Sequence, residues 1–239
     1  MKNLLTRIVR YSVLGTICLV AAATQALEDP PEPLEVEESH QEISRSVSKL
    51  IEELHYSQRR LDNSTSSAVL DRYLDTLDGN RMFFLAADVA SFSRYRYELD
   101  DRAKSGELRP AFEISNVFRE RARERFELAL QMLEVEPDFT IDEAFVFDRS
   151  NLAWPMSTEE MKDVWRHKVK SDVLSLVLAD DPWPNVAQTL RERYERSYKQ
   201  IAELTSNDVL ESFMSALAQT MDPHSRIYQL LIARTTEST

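Results

Sequence analysis

Three glycines in 239 residues set the tightest limit on what this chain can fold into. Average usage of about 7% would supply roughly seventeen. Sandwiches, barrels and nucleotide-binding α/β units draw on glycine for turns, bulges and close backbone approach, whereas helices are weakened by it. The shortage predicts an all-α fold before any periodicity is counted. The length suits one large domain or two small ones, and an apolar content of 43% is enough to fill a core.

The first residues read as a targeting segment. Lys2, Arg7 and Arg10 form a positive stretch, Tyr11 to Ala23 is a short apolar run, and Thr24-Gln25-Ala26 offers small residues for cleavage near Ala26. The run is shorter than the ~20 residues of a spanning helix, so a cleaved signal peptide over residues 1–26 is expected rather than a membrane anchor. The one cysteine, Cys18, lies inside the apolar run and lacks the small residue that precedes a lipidated cysteine. Cleavage leaves no cysteine for disulfides, so stability must come from packing. Removing Lys2, Arg7 and Arg10 from a formal charge of −12 leaves −15. A chain so acidic repels polyphosphate, which argues against nucleic acid as a partner. The bacterial periplasm is the expected destination, with no membrane association after cleavage.

Residues 27–38, "LEDPPEPLEVEE", are proline-rich and acidic and read as an extended, disordered lead-in. From Ser39 to Ser225 the apolar spacing predicts a single irregular domain of about seven amphipathic helices. The first opens at Ser39, which stands three residues before Glu42, and carries Ile43, Val47, Leu50, Ile51 and Leu54. The cluster Asp62–Ser67 caps a second with Leu70, Tyr73, Leu74 and Leu77, and Gly79 stands where a left-handed terminating residue belongs. A third runs from near Asp88 through Val89, Phe92 and Leu99 to Gly106. A long fourth starts at Pro110 and reaches about Val135, with Ile114, Phe118, Ala122, Phe126, Ala129, Leu130 and Leu133 on one face. Residues 138–155 break the period and read as an irregular segment with apolar anchors, or a short strand. Ser157 with Glu160 opens a fifth helix carrying Met161, Val164, Trp165, Val169, Val173 and Leu176. Asn185 with Gln188 starts a sixth bearing Leu190, Tyr194, Ile201 and Leu204, and Ser206 or Asn207 caps a last one with Val209, Phe213, Ala216, Leu217 and Met221.

Few constellations could carry chemistry. Glu52-x-x-His55 has the helical spacing of di-iron carboxylate ligands, yet no second such pair stands on an opposing helix, and a plain histidine at a core edge is the simpler reading. Ser46-x-x-Lys49 has the spacing of penicillin-binding enzymes but lacks Lys-Thr-Gly and the glycines of an oxyanion loop. "RERARER" (119–125) and "RERYERSYK" (191–199) interleave both signs and read as intrahelical pairing on wet faces, with docking of a partner as the alternative. Trp154-Pro155 and Trp183-Pro184 flank the fifth helix. They either seal core edges or border a peptide groove, since a large apolar surface near an acidic rim can hold an unfolded segment. No catalytic, cofactor-binding or metal residue is assigned.

Four stretches taken in order resemble a known family: "LDRYLDTLDGNRMFFLAADVASF" (70–92), "DFTIDEAFVFDRSNLAWP" (138–155), "DVWRHKVKSDVLSL" (163–176) and "NDVLESFMSALAQTMDPHS" (207–225). They are similar to the N-terminal helical domain of the tail-specific, or carboxy-terminal processing, serine proteases of Gram-negative bacteria. The resemblance implies a periplasmic endopeptidase that recognises exposed apolar C-termini, its helical domain followed by a PDZ domain and a protease domain with a metal-free Ser/Lys pair. No position here matches that pair. After Ser225 the sequence leaves the family pattern, and the 226–239 tail is expected to arise from a frameshift near Ile227 or an early stop. The expected role is a non-catalytic scaffold that admits unfolded or C-terminally exposed polypeptides, inactive alone, with the protease half or a periplasmic adaptor as further partners. The alternatives are a stand-alone periplasmic helical binding module and, more remotely, a metalloenzyme through Glu52 and His55.

Overall fold

A computed structural model of the chain describes residue 27 and residues 32–54 and 61–221. The expected signal segment, the 222–239 tail and His55 lie outside the described residues. Those described form eight α-helices and no strand: α1 Glu38–Leu54, α2 Asn63–Asp78, α3 Ala86–Phe92, α4 Leu99–Ser105, α5 Arg109–Met132, α6 Thr158–Val177, α7 Trp183–Ala202 and α8 Ser206–Met221. None is long and apolar enough to cross a membrane.

Two apolar cores are strung along α5. The first lies among α1, α2, α4, α8 and the N-terminal half of α5, around Tyr73, Leu74, Phe84, Phe112, Ile114, Phe213 and Leu217. The second lies among the C-terminal half of α5, α6 and α7, around Phe126, Met161, Trp165, Val169, Leu190 and Tyr194. Phe83 touches both, with its ring 5.3 Å from Phe118 and 6.0 Å from Trp165. The sequence pattern places nearly all of these residues on buried stripes, which is why the fold class and helix faces are as expected.

Boundaries differ where local hydrogen bonding overrides the pattern. The expected third helix is split by a 3₁₀ turn at Ser93–Tyr95. There the Arg96 and Glu98 amides bond three residues back, and the Leu99 N–H donates to Ser66 Oγ at 2.8 Å, so the α ladder stops and restarts. Helix α1 begins before Ser39. The Glu37 N–H donates to Nδ1 of the fully buried His40 at 3.1 Å, which leaves the proton on Nε2, 3.1 Å from Asn207 Oδ1 on α8. Helix α7 starts at Trp183 with Pro184 in its first turn, two residues before Asn185. Helix α8 is capped by neither Ser206 nor Asn207: Thr205 Oγ1 accepts from the Asp208 N–H at 3.3 Å while Asp208 accepts from the Thr205 N–H at 2.7 Å. Helix α5 ends at Met132, short of Val135. Asp62 and Ser157 cap α2 and α6 as their sequences predict.

Residues 32–37 run outside any helix along α5. Asn116 clasps Leu34 with two bonds, accepting from its N–H at 2.9 Å and donating to its carbonyl at 3.0 Å, and Arg119 donates to the Glu32 carbonyl. Leu34 and Val36 pack against the first core despite the acidic composition around them.

Gly106 ends α4 with φ 82, the left-handed conformation that disfavours side chains. A Cβ there would stand 2.8 Å from the Gln41 carbonyl oxygen and 2.9 Å from Arg45 Nε, which itself donates to the Ser105 carbonyl. Gly106→Ala is expected to cost about 2 kcal/mol, from the left-handed penalty and the crowding of α1. Urea denaturation measures it; an unchanged midpoint would contradict the stated contact.

Candidate functional site

The feature that the helices leave facing outward is the α5–α6 connection, residues 133–157, which carries neither helix nor strand. Its place is fixed at two points by buried or half-buried carboxylates. The first is Asp78, the last residue of α2, only 2% exposed. It accepts from the backbone N–H groups of Met82 at 2.7 Å, Phe83 at 3.2 Å and Phe84 at 3.0 Å, and from the Trp154 indole N–H at 3.0 Å. Burial pushes its carboxyl above the ordinary value, and these four donors only partly offset that. Around it the chain turns sharply. The left-handed residue of this turn is Arg81, φ 55, and not Gly79, whose φ of −57 is helical, which corrects the expectation for that glycine. Arg81 holds the strained conformation through three acceptors: Asp75 at 2.8 Å and the carbonyls of Asp78 and Gly79 at 3.0 and 3.3 Å. Its guanidinium lies over the Trp154 ring, 3.9 Å from the centroid. Asn80 then bonds both the Phe147 carbonyl and the Arg149 N–H at 3.3 Å, and the Ala86 N–H donates to the Pro155 carbonyl at 2.9 Å. The "LDGNRMFF" and "DRSNLAWP" stretches are thus the two halves of one fastening.

The second point is Glu143, seated on α6. It accepts from Arg166 Nη1 at 2.5 Å and Lys170 Nζ at 2.8 Å, with His167 Nε2 3.4 Å away, while Lys170 also donates to the Ile141 carbonyl at 2.7 Å. The Lys170 and Arg166 bonds hold its carboxyl well below the usual range, at about 2. A depressed carboxylate favours the folded anchor above the unfolded value of 4.5 and loses that contribution as pH falls toward 2. Carboxyl-carbon NMR is expected to show Glu143 titrating near 2, and Glu143→Gln is expected to speed limited proteolysis within 137–150 with helix content unchanged. A midpoint near 4.5, or equal cleavage, would contradict the anchor.

Between and around these points the connection presents apolar side chains to solvent: Val135, Ile141, Val146, Phe147, Leu152 and Met156, with Phe147 69% and Met156 75% exposed. Phe145 turns inward against the second core, its ring 5.2 Å from that of Phe147. A cleft of about 290 Å³ opens where Met132, Val135, Pro137 and Ile141 face Val169 and Lys170 of α6. Residues 133–148 hold six acidic side chains and no basic one. Such a surface can hold another chain.

The residues singled out in the sequence are dispersed. Ser46 and Lys49 do not interact, and Lys49 pairs with Glu53 at 3.7 Å on an exposed face of α1. Glu52 stands 3.9 Å from Lys104, and its expected partner His55 lies outside the described residues. Among the described residues no three His, Cys, Asp or Glu side chains cluster as metal ligands. "RERARER" differs from its expected wet face. Arg119 and Arg125 are 4% and 3% exposed, Arg119 donating to the carbonyls of Glu32 and Ala202 and Arg125 to that of Phe83. Burial pulls both guanidiniums below their ordinary value. Arg121 and Arg123 pair outward, Arg123 with Glu120 and Glu127 on its own helix, Arg121 with Glu124 and with Asp88 on α3, and the buried Arg125 reaches Glu124 at 3.2 Å. In "RERYERSYK", Tyr194 and Tyr198 are core residues. Trp154 and Trp183 are partly buried against different cores, each at a core edge. Asp78 and Glu143 escaped the sequence reading, because a lone acid beside Gly-Asn and one acid among six look like solvated charge.

The family model described as the tail specific protease N-terminal domain matches residues 47–229. A curated relative, the tail-specific protease of Haemophilus influenzae, is 30% identical over 218 residues, which are 88% of this chain and 31% of the relative. The chain therefore spans about a third of the length of the curated relative it matches.

Proposed function

Because this chain belongs to the tail-specific protease family as its N-terminal helical domain, we propose that it is a non-catalytic scaffold that receives unfolded or C-terminally exposed polypeptides and positions them for proteolysis carried out elsewhere. One observation carries the reading. Two of the stretches that resemble the family, 70–92 and 138–155, are spent on Asp78, Trp154 and Asn80, whose bonds hold the apolar and acidic 133–157 connection outward while contributing no reacting group of their own. A fold that commits a buried carboxylate, a strained arginine and an indole to displaying one loop is built around what that loop touches.

The proposal places the activity of a periplasmic serine endopeptidase in a separate domain and makes this one inactive alone. Purified protein incubated with an unstructured peptide bearing an apolar C-terminus is expected to be photo-cross-linked to it and to leave it intact. Hydrolysis that persists through successive purification steps would refute the scaffold role. Absence of cross-linking would refute the receiving role.

A further inference from the structure

We propose that residues 134–148 form an open docking edge for an extended polypeptide whose side chains are alternately apolar and basic. The inference rests on the receiving role above and adds which chemistry is received.

Three features converge on the same fifteen residues. The first is backbone. Among the described residues, no N–H from Ile141 to Asp148 has an acceptor, while the only carbonyls there with protein donors are those of Ile141 and Phe147. From Asp142 to Val146, Glu143 and Phe145 turn toward α6 and Asp142, Ala144 and Val146 outward, the two-residue alternation of extended chain, bounded by bends at the exposed Ile141 and Phe147. A stretch of this kind offers an incoming strand a row of unused main-chain bonds. The second is apolar surface: Val135, Ile141, Val146 and Phe147 are exposed, and the cleft over Val169 has room for an aliphatic side chain. The third is charge, and it selects the occupant. Glu134, Glu136, Asp138, Asp142 and Asp148 are exposed, and none forms an ion pair among the described residues, although Asp138 feels the more distant charge of Lys170. Arg166 and Lys170, the cations nearest the cleft, are already engaged by Glu143. An apolar segment carrying carboxylates would meet five like charges; one carrying lysines or arginines would meet five opposite ones.

The test uses the purified protein and two fluorescent peptides of about twelve residues, alternating leucine or valine with lysine in one and with glutamate in the other. Anisotropy is expected to show the lysine peptide binding at least about tenfold more tightly at low salt, with the difference fading above roughly 0.3 M as charges are screened. Amides 141–148 are expected to exchange more slowly in the complex. The triple variant Glu136→Lys, Asp138→Lys, Asp142→Lys changes only exposed side chains and is expected to invert the preference, and Phe147→Ser to weaken binding of the lysine peptide. Equal binding of the two peptides, or protection of amides elsewhere, would overturn the docking edge while leaving the receiving role intact. Capture of no peptide of any composition would overturn both. A dimer that the triple variant disperses would show that a second copy covers the surface, and would also overturn the inference.

Discussion

Replacing Asp78 by alanine is expected to lower the melting temperature by roughly 8–16 °C, a loss of about 4 kcal/mol at 2–4 °C per kcal/mol for a chain of this size. Four donors converge on its carboxylate, three of them backbone N–H groups and the fourth the Trp154 indole. Each buried donor left without an acceptor costs about 1–3 kcal/mol, less whatever water and local adjustment recover. Part of the loss is offset, because burial raises the carboxyl and the charge is itself expensive to hold. Because the carboxyl is raised in the folded chain, the stability that Asp78 contributes falls as pH climbs from 3.8 through the folded-state value. Asp78→Asn, which keeps one acceptor and removes the charge, is expected to cost about half as much. Asp75→Ala, which removes a 56% exposed partner of Arg81, is expected to cost under about 1 kcal/mol. Thermal melts followed by circular dichroism order the three. An Asp78→Ala melt within 2 °C of wild type, a bound set by the ~2–4 °C per kcal/mol scale, would rule out the convergence described.

How much of this was visible in the sequence depends on the range of the interaction. Helix faces are short-range patterns, and the stripes Leu70–Tyr73–Leu74 and Met161–Trp165–Val169 bury as their spacing predicts. Caps already depend on which of several adjacent hydroxyls points inward, so Thr205 took the place expected for Ser206 or Asn207. Arg119 and Arg125 were out of reach altogether. Their alternation with glutamate has the look of solvated charge, and carbonyls distant in sequence, those of Glu32 and Ala202 for Arg119 and of Phe83 for Arg125, explain why they are buried. The docking surface was half legible: residues 138–155 break the helical period and hold apolar anchors, but which of those anchors face solvent is decided by Glu143 on α6 and Asn80 at the α2 turn.

The second large effect is expected at Trp165. Its side chain is 1% exposed, its indole N–H donates to the Met82 carbonyl at 2.7 Å, and its ring lies 5.4 Å from Phe126 and 6.4 Å from Tyr194. Trp165→Ala removes the largest filled volume of the second core and leaves the Met82 carbonyl without its donor. A loss of about 3–5 kcal/mol is expected, near the limit of what a single substitution removes. Trp165→Phe keeps most of the ring and is expected to cost about 1–2 kcal/mol, mainly the missing hydrogen bond. Guanidinium titration separates the two; equal midpoints would mean that the polar contact, and not the volume, dominates this site.

Helix α5 lends its first half to one core and its second half to the other. Neither partner can let go of that helix without stripping a face from its neighbour, so damage at Trp165 has a route to Phe213 although the two share no element. Calorimetry should register this as one heat-absorption peak in place of two, with the enthalpy obtained from the area matching that obtained from the steepness. The long central helix is, in that sense, what makes a pair of cores behave as one cooperative body.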